Sequence, residues 1–398
     1  MRILSQSPTD PDFVQNPYAF YARARSGDRT NGPISVWSDY NMVAAFDNDT
    51  VQALLKDRRF GREAVAEFAT PIPEHLAPFY AVEAHSMLEL EPPRHTRLRS
   101  LVLRAFTSRR IKELTPEITR LSHDLIDQFP AGDFDLITAY ANTLPVVIIS
   151  RLLGVAEGMS DQLLQWSNDM VAMYQARRTR AVEDRGIAAT EAFVAFMRAH
   201  IETRRKTPAD DLITHLIAAE EAGEKLSTDE LITTCIILLN AGHEATVHTI
   251  GNGVKTLLET ATPLSALAPD AIDATVEEII RFDPPVHIFN RHAYEDITLF
   301  GHDFKRGDQI ALVLAAANRD PLTWPDPDTF DPARATRKNA SFGGGIHFCV
   351  GAPLARLELA IALRILFERC PNLRITAPPT YANLYHFHGL ERLMVASG

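Results

Sequence analysis

The sequence predicts a mainly α protein with a small β region, on three observations. Apolar residues recur at helical spacing over 17–26, 50–57, 95–105, 109–129, 138–153, 160–174, 184–205, 210–221, 228–259, 270–282 and 353–369. Strand-like runs are short: 33–37, 42–46, 296–300, 309–314 and the tail around 383–396. The 25 prolines are scattered, with clusters at 71–78, 284–285, 321–332 and 378–379, so they punctuate helices and mark no linker. With 46% hydrophobic and 23% charged residues over 398 positions, the chain has the balance of an ordinary globular protein. Length alone allows two or three domains at about 150 residues each.

Lys+Arg 40 against Asp+Glu 51 leaves a net charge of −11, so neither nucleic acid nor an anionic membrane is an expected partner. Of the three cysteines, Cys235 and Cys370 lie in apolar periodic runs and read as buried small hydrophobes. No pair has CxxC spacing, which argues against a structural zinc site. The start, MRILSQSPTDPDF, lacks a secretory pattern, and charge-free stretches such as 231–242 fall short of a bilayer span of about 18–20 residues. A reducing, cytoplasmic setting is expected.

The longest helix opens at a capping box, Ser227 with Glu230 three residues on. Running to Glu259, it would extend about 48 Å at 1.5 Å per residue, enough to cross the molecule. Its apolar first half is interrupted by Asn240, Gly242 and Glu244, a polar and helix-weakening group that a purely structural helix has reason to avoid. A kink or a close helix crossing at Gly242 accounts for it equally well. His243 and Glu244 suggest an HExxH metal site, but the next histidine, His248, is at i+5, about 140° around the axis from His243.

The third cysteine stands apart. Ser341-Phe-Gly-Gly-Gly-Ile-His-Phe-Cys349-Val-Gly351 leads into a helical run, which puts Cys349 at a helix N-terminus. Free amides and the positive end of the helix dipole there favour an anionic sulfur, and Gly345 and Gly351 are expected to let the backbone turn under it. A phosphate loop fails, since GxGxxG requires glycine at 348, where phenylalanine stands. A cysteine hydrolase needs a base beside the sulfur, and His347 is a weak candidate. Iron ligation by a thiolate is the third possibility. Phe342, Gly345, His347, Cys349 and Gly351 fit FxxGx[HR]xCxG, and here the sequence resembles the cytochrome P450 family.

Further matches follow in the family's order. Glu278-Ile-Ile-Arg281 resembles its ExxR motif, whose i, i+3 spacing lets the pair meet on one helix face; the resemblance implies that the pair is buried and joined by Arg334 of PDPDTFDPAR. Glu91-Pro-Pro-Arg-His95-Thr-Arg-Leu-Arg99 resembles [DE]PPxHxxxR. The resemblance implies a P450-like fold in which haem b (iron protoporphyrin IX) is enclosed between the long helix and the cysteine loop. Cys349 would ligate the iron, and His95, Arg99, Arg291 and His347 would hold the propionates. Ala241-Gly242-His243-Glu244-Ala245-Thr246 resembles the family's [AG]Gx[DE]TT. It implies that Gly242 leaves room for dioxygen and that Glu244 relays protons. Most members have threonine where this chain has Ala245, and Thr246 does not replace it, being turned about 100° around the helix. Macrolide-precursor hydroxylases share that alanine, which implies a substrate with a hydroxyl or other polar group near the iron.

By the same resemblance the substrate pocket is lined by loop 76–90, by Ile237, Asn240 and Ala241, by Val286, His287 and Phe289, and by His386 and Phe387. Arg177, Arg178 and Arg180 could meet a carboxylate, although a solvated charge run explains them too. Between 91 and 112, Arg94, Arg97, Arg99, Arg104, Arg109, Arg110 and Lys112 accompany a single acidic residue, Glu91. Apart from Arg99 they could steer an acidic electron donor. With no flavin or iron–sulfur module in the chain, the implied donor is a separate ferredoxin-type protein with its NAD(P)H-dependent reductase. The implied activity is insertion of one oxygen atom of O2 into a small or medium organic substrate. Two alternatives stay open: a ligand-binding haem-thiolate protein without turnover, and a peroxide-driven peroxygenase. The resemblance runs from Asn16-Pro-Tyr to the tail, so residues 1–398 are expected to form one catalytic domain. It fits less well over 258–270, where a helix is doubtful, and at His388, where arginine is common before Gly-Leu.

Overall fold

Helix Thr228–Glu259 forms over its whole expected span. The Glu230 N–H donates to Ser227 Oγ at 3.2 Å and the Ser227 N–H to the Glu230 carboxylate at 2.8 Å, so both halves of the capping box are made. Arg97, from helix Arg94–Ala105, pairs with the same carboxylate and ties the two helices together at that end. This is a computed structural model, and it describes residues 1–26, 32–175, 178–219, 224–335, 337–384 and 387–397.

Helices Thr143–Leu152, Ser160–Val171, Arg180–Lys206, Ile272–Phe282 and Ala352–Arg369 pack around the central one, and a continuous apolar core surrounds it. The expected helix 109–129 divides into Ser108–Glu113 and Thr115–Ile126; Pro116 sits in the first turn of the second, where its missing N–H costs nothing. Residues 138–153 begin instead with a π-helical turn, Ile137–Ala141, before helix Thr143–Leu152. Segment 76–90, read as a loop, contains helix Ala77–Glu83, and 258–270 holds a short 3-10 turn, Leu264–Leu267.

Among the described residues the largest sheet has six strands in the order Arg2–Leu4, Ile34–Trp37, Met42–Ala45, Gln309–Val313, Ile288–Ala293, Phe60–Gly61, and one three-stranded and two two-stranded sheets accompany it. Strand Ile288–Ala293 escaped the sequence reading because Asn290, Arg291 and His292 interrupt its apolar pattern. Antiparallel pairing with Gln309–Val313 fixes its register, with Arg291 opposite Ile310. Apolar clusters around Leu312 and around Trp37 and Val313 bury the sheet. Among the described residues no helix is long and apolar enough to cross a membrane.

Candidate functional site

The cysteine loop is closed by the Cys349 N–H donating to the Phe342 carbonyl at 3.0 Å. Gly345 makes the turn possible: its φ is +64°, and a Cβ there would lie 2.4 Å from the Leu55 carbonyl oxygen. Gly351 has no such need. Its φ of −78° is ordinary helical backbone, and a Cβ would meet only the Cys349 sulfur at 3.8 Å, so the expected turn at Gly351 is not made. Phe342 is held by the Arg356 guanidinium, 4.5 Å from its ring centroid.

Amides of Gly351 and Ala352 donate to the Cys349 sulfur. Burial nevertheless dominates and raises its thiol pKa, against the opposing amides and the charges of Arg99 and Arg356. The depression expected from the helix N-terminus is thus outweighed by desolvation. Cys349 is also accessible to solvent. Accessibility and strong desolvation coexist where a sulfur faces an internal hollow. His347 does not serve it as a base: its Nε2 lies 2.9 Å from Glu91 Oε1, and its ring packs at a tilt against His95, centroids 4.4 Å apart.

The loop is anchored from behind by Glu278, on helix Ile272–Phe282. Arg281 donates to both Glu278 carboxylate oxygens at 2.7 Å, Arg334 Nε to Oε1 at 3.1 Å and the Asp331 N–H to Oε1 at 3.0 Å. Glu278 and Arg281 are both buried. Arg281 also donates to the carbonyls of Asn318 and Pro327. Asn318 had no place in the sequence reading. Its signal was a lone asparagine closing the apolar run ALVLAAAN.

Among the described residues, three buried atoms beside the loop lack hydrogen-bond partners: both ring nitrogens of His95 and Nη2 of Arg291. Burial, followed by the charges of His347 and Arg99, lowers the His95 pKa to about 4, so the ring is neutral at pH 7. Burial, followed by Arg62, lowers Arg291 to about 10, which leaves it cationic. Buried donors without acceptors fit an anionic group that is absent from the protein itself. Arg99 Nη2 donates to the Phe348 carbonyl at 2.6 Å and so braces the loop directly. His347, expected at the propionates as well, gives its Nε2 to the Glu91 carboxylate, which leaves Nδ1 as its other ring nitrogen.

A profile of the family described as Cytochrome P450 matches residues 36–262 and 271–376. The chain belongs to the cytochrome P450 family. It is 37% identical over 389 residues to the cytochrome P450 monooxygenase PikC of Streptomyces venezuelae, covering 95% of this chain and 89% of PikC. It is 38% identical over 307 residues to 6-deoxyerythronolide B hydroxylase of Saccharopolyspora erythraea, covering 76% and 74% of the two chains. Among solved structures, P450BioI in complex with an acyl carrier protein ligated to hexadec-9Z-enoic acid superposes with a TM-score of 0.89 at 33% identity, over 97% of this chain and 99% of that one. This P450 is thus a monooxygenase of small molecules, and its family implies haem and a redox partner. Accessible Cys349 and the unpartnered atoms of His95 and Arg291 fit haem: a thiolate for iron at one point, donors for carboxylates at another.

The central helix of the P450 is buried throughout 231–240 and 246–254 but opens between them, with Ala241 exposed and Ala245 half-buried. These two share a face at i, i+4. Exposure midway along a buried helix is what a hollow against that face would produce. Gly242 does not face it as expected: a Cβ there would touch Ile149 at an ordinary 3.6 Å. Thr246 turns its hydroxyl back to the Gly242 carbonyl at 3.1 Å. Glu244 is clamped between His243 Nε2 at 3.2 Å and His248 Nε2 at 3.3 Å. Burial alone would raise its pKa, but hydrogen bonds from His243 and His248 overcome that and hold it well below the usual carboxylate range. His243 also contacts Asn168 and the Leu239 carbonyl, so it points to neighbouring helices. His243, Glu244, His248, Asn168, Phe387 and Glu391 line a cavity of ≈ 370 Å³.

The other pocket residues divide. Asn240 is buried with Oδ1 unpartnered, and Ile237 lies one turn before Ala241 on the same helix. Val286 forms an isolated antiparallel bridge with Phe387, outside any strand. Phe289 is a correction: it packs under Gly343 of the cysteine loop, with Arg62 and Arg291 over its ring, because its strand turns that face to the loop. His287 is another. It is buried against Tyr21, Tyr18 and His388, with Nδ1 3.0 Å from the Tyr21 hydroxyl. His386 and Arg177 lie outside the described residues. Arg178 and Arg180 pair with Glu183 and Asp184.

The expected basic face is largely compensated. Arg94 pairs with Glu63, Arg97 with Glu224 and Glu230, Arg109 with Glu113 and Arg110 with Asp210, acids that all lie outside the window 91–112. Arg337 and Lys338, next to the cysteine loop, are exposed and have no carboxylate partner among the described residues; Lys338 lies 5.4 Å from the Phe348 ring.

Proposed function

We propose that this P450 inserts oxygen into a small or medium organic molecule carrying a hydroxyl or similar polar group beside the oxidised carbon. The observation that supports this most is the opening at Ala241 and Ala245: the helix face exposed to the hollow carries no hydroxyl of its own. Haem b, bound through a cysteine thiolate, supplies activation of dioxygen. Cys349 would ligate its iron, with the sulfur oriented by the Gly351 and Ala352 amides; His95, Arg291 and Arg99 would take its propionates. Glu244, ionised between two histidines at the neighbouring cavity, would pass protons from that cavity toward the hollow without retaining them. Asn240 Oδ1 would accept a hydrogen bond from the substrate. The related 6-deoxyerythronolide B hydroxylase supports a polyketide-like, oxygen-bearing substrate.

Motif residues from 91–99, 241–246, 278–281 and 342–351 would then serve one cofactor, making residues 1–398 a single catalytic domain. We assign the electron supply to a ferredoxin with its NAD(P)H-dependent reductase, and the setting to the cytoplasm. The test compares turnover of a compound that shifts the haem spin state, with NAD(P)H, ferredoxin and reductase, against peroxide alone. Product with the electron chain supports the proposal; product with peroxide only points to a peroxygenase, and binding with neither to a ligand-binding protein.

A further inference from the structure

His287 leaves the substrate pocket, and His388 stands where the family commonly has arginine. The fold brings the two together. Asp283 caps helix Ile272–Phe282, His287 immediately precedes strand Ile288–Ala293, and the His388 N–H is fastened to the Pro285 carbonyl at 2.7 Å. One donor atom from each of Asp283, His287 and His388 lies within 4.8 Å of the others, and all three residues are buried. We propose that Asp283, His287 and His388 form a binding site for a transition-metal dication, Zn²⁺ being the ion that this nitrogen and oxygen set suits.

Among the described residues, His287 Nε2 is buried and has no hydrogen-bond partner. Such an atom costs stability unless something satisfies it. Its other nitrogen is 3.0 Å from the Tyr21 hydroxyl. That is the arrangement of a metal-binding imidazole, whose second nitrogen is fixed by an outer partner. Asp283 is fixed in the same way: Oδ1 accepts from Tyr18 at 2.7 Å and Oδ2 from Tyr381 at 2.6 Å. Each oxygen keeps a further lone pair. His388 Nε2 lies 3.5 Å from Asp283 Oδ1, long for a hydrogen bond. With metal–ligand distances of about 2.0–2.2 Å, neighbouring donors of a tetrahedral site stand about 3.3–3.5 Å apart. The ring centroids of His287 and His388 are 4.5 Å apart, close enough to share an ion.

Two cations border the cluster, and neither takes Asp283 as its partner. Arg319 stacks over Tyr18 at 3.6 Å but donates to the Phe282 carbonyl and pairs with Asp328 at 3.3 Å; Lys255 pairs with Glu259 at 2.7 Å. The carboxylate charge is left for the ion, whose fourth position water would fill. Bound there, the ion would pin the tail at His388 to the helix end at Asp283. This site is independent of the haem reading.

The test uses haem-loaded protein, stripped with a chelator and dialysed against Zn²⁺. It should retain about one zinc per chain, and its crystals should show an anomalous peak at the zinc edge among the three side chains. His287→Ala and His388→Ala should each lower retention at least about tenfold with haem content unchanged, and Tyr21→Phe should weaken zinc about 10–100-fold. The proposal fails if the wild type retains no zinc, if the peak lies only at surface histidines such as His75 or His215, or if the variants retain zinc equally. Should an alanine variant lose haem, His287→Gln preserves volume, and the wild-type anomalous map decides by itself.

Discussion

The Asn318 amide donates to the Ser341 hydroxyl at 2.7 Å, and through that bond the Glu278 cluster reaches the cysteine loop. Asn318 Oδ1 accepts the Ala340 N–H at 2.7 Å, while its carbonyl receives Arg281. Ser341 in turn donates to the Ile280 carbonyl at 2.7 Å, on the helix that carries Glu278 and Arg281. Asn318→Ala keeps the carbonyl but strands the buried Ala340 N–H, a loss of about 1–3 kcal/mol. The expected outcome is a lower thermal midpoint and less haem per chain, with helical content unchanged by circular dichroism. Asn318→Asp keeps the acceptor and should fall between.

Glu278→Ala removes the acceptor shared by Arg281, Arg334 and the Asp331 amide. Breaking a buried pair on one side costs about 3–5 kcal/mol, because the remaining charge stays desolvated. Haem incorporation should be abolished, as read from Soret absorbance per protein. Full incorporation would show that the cluster does not hold the loop.

These two predictions separate what the sequence displays from what it hides. Glu278, Arg281 and the Ser227–Glu230 cap announce themselves because helical spacing fixes their neighbours within one turn. The division of 109–129 was equally local, set by Pro116. Asn318, Arg291's strand and the partners of Arg97 are settled by contacts between segments far apart in the chain, which periodicity does not encode. His287 and Phe289 were misplaced for the same reason: which face of a strand meets the hollow depends on its register against Gln309–Val313.

Glu244 supplies a pH test. Its folded pKa lies below its unfolded value, so its contribution to stability is fully present above the ordinary carboxylate value of about 4.3 and is lost as pH falls through the folded pKa. Glu244→Gln should therefore lower the thermal midpoint at pH 7, and the gap from wild type should close in acid below about pH 4. At neutral pH turnover should fall about 100-fold, the lower end of what a positioned proton carrier contributes. A gap that widens in acid would reverse the sign of the argument.

Electron transfer should depend on Arg337 and Lys338 more than on Arg109. Arg109 already has Glu113 at 3.0 Å, and exposed pairs of that kind carry little net field. Charge reversal at Lys338 should slow reduction by a ferredoxin and flatten its dependence on ionic strength, while Arg109→Gln together with Glu113→Gln, which removes a pair of no net charge, changes either by less than about twofold. Stopped-flow reduction across a salt series measures both.

Ala245→Thr tests the substrate itself. Thr246 and Thr249 turn their hydroxyls back to the carbonyls of Gly242 and Ala245, at 3.1 and 2.6 Å, as helical threonines commonly do. A threonine at 245 would bond the Ala241 carbonyl in the same way and present its hydroxyl to the hollow, on the face that now carries only methyl groups. If the substrate brings its own hydroxyl to that place, a second one is redundant and crowds it. Product formed per NAD(P)H should then stay level or fall on the native substrate, and should rise on a hydrocarbon of matching size that lacks the hydroxyl. A large gain on the native substrate would mean that the proton path is incomplete without threonine and that the substrate contributes nothing to it.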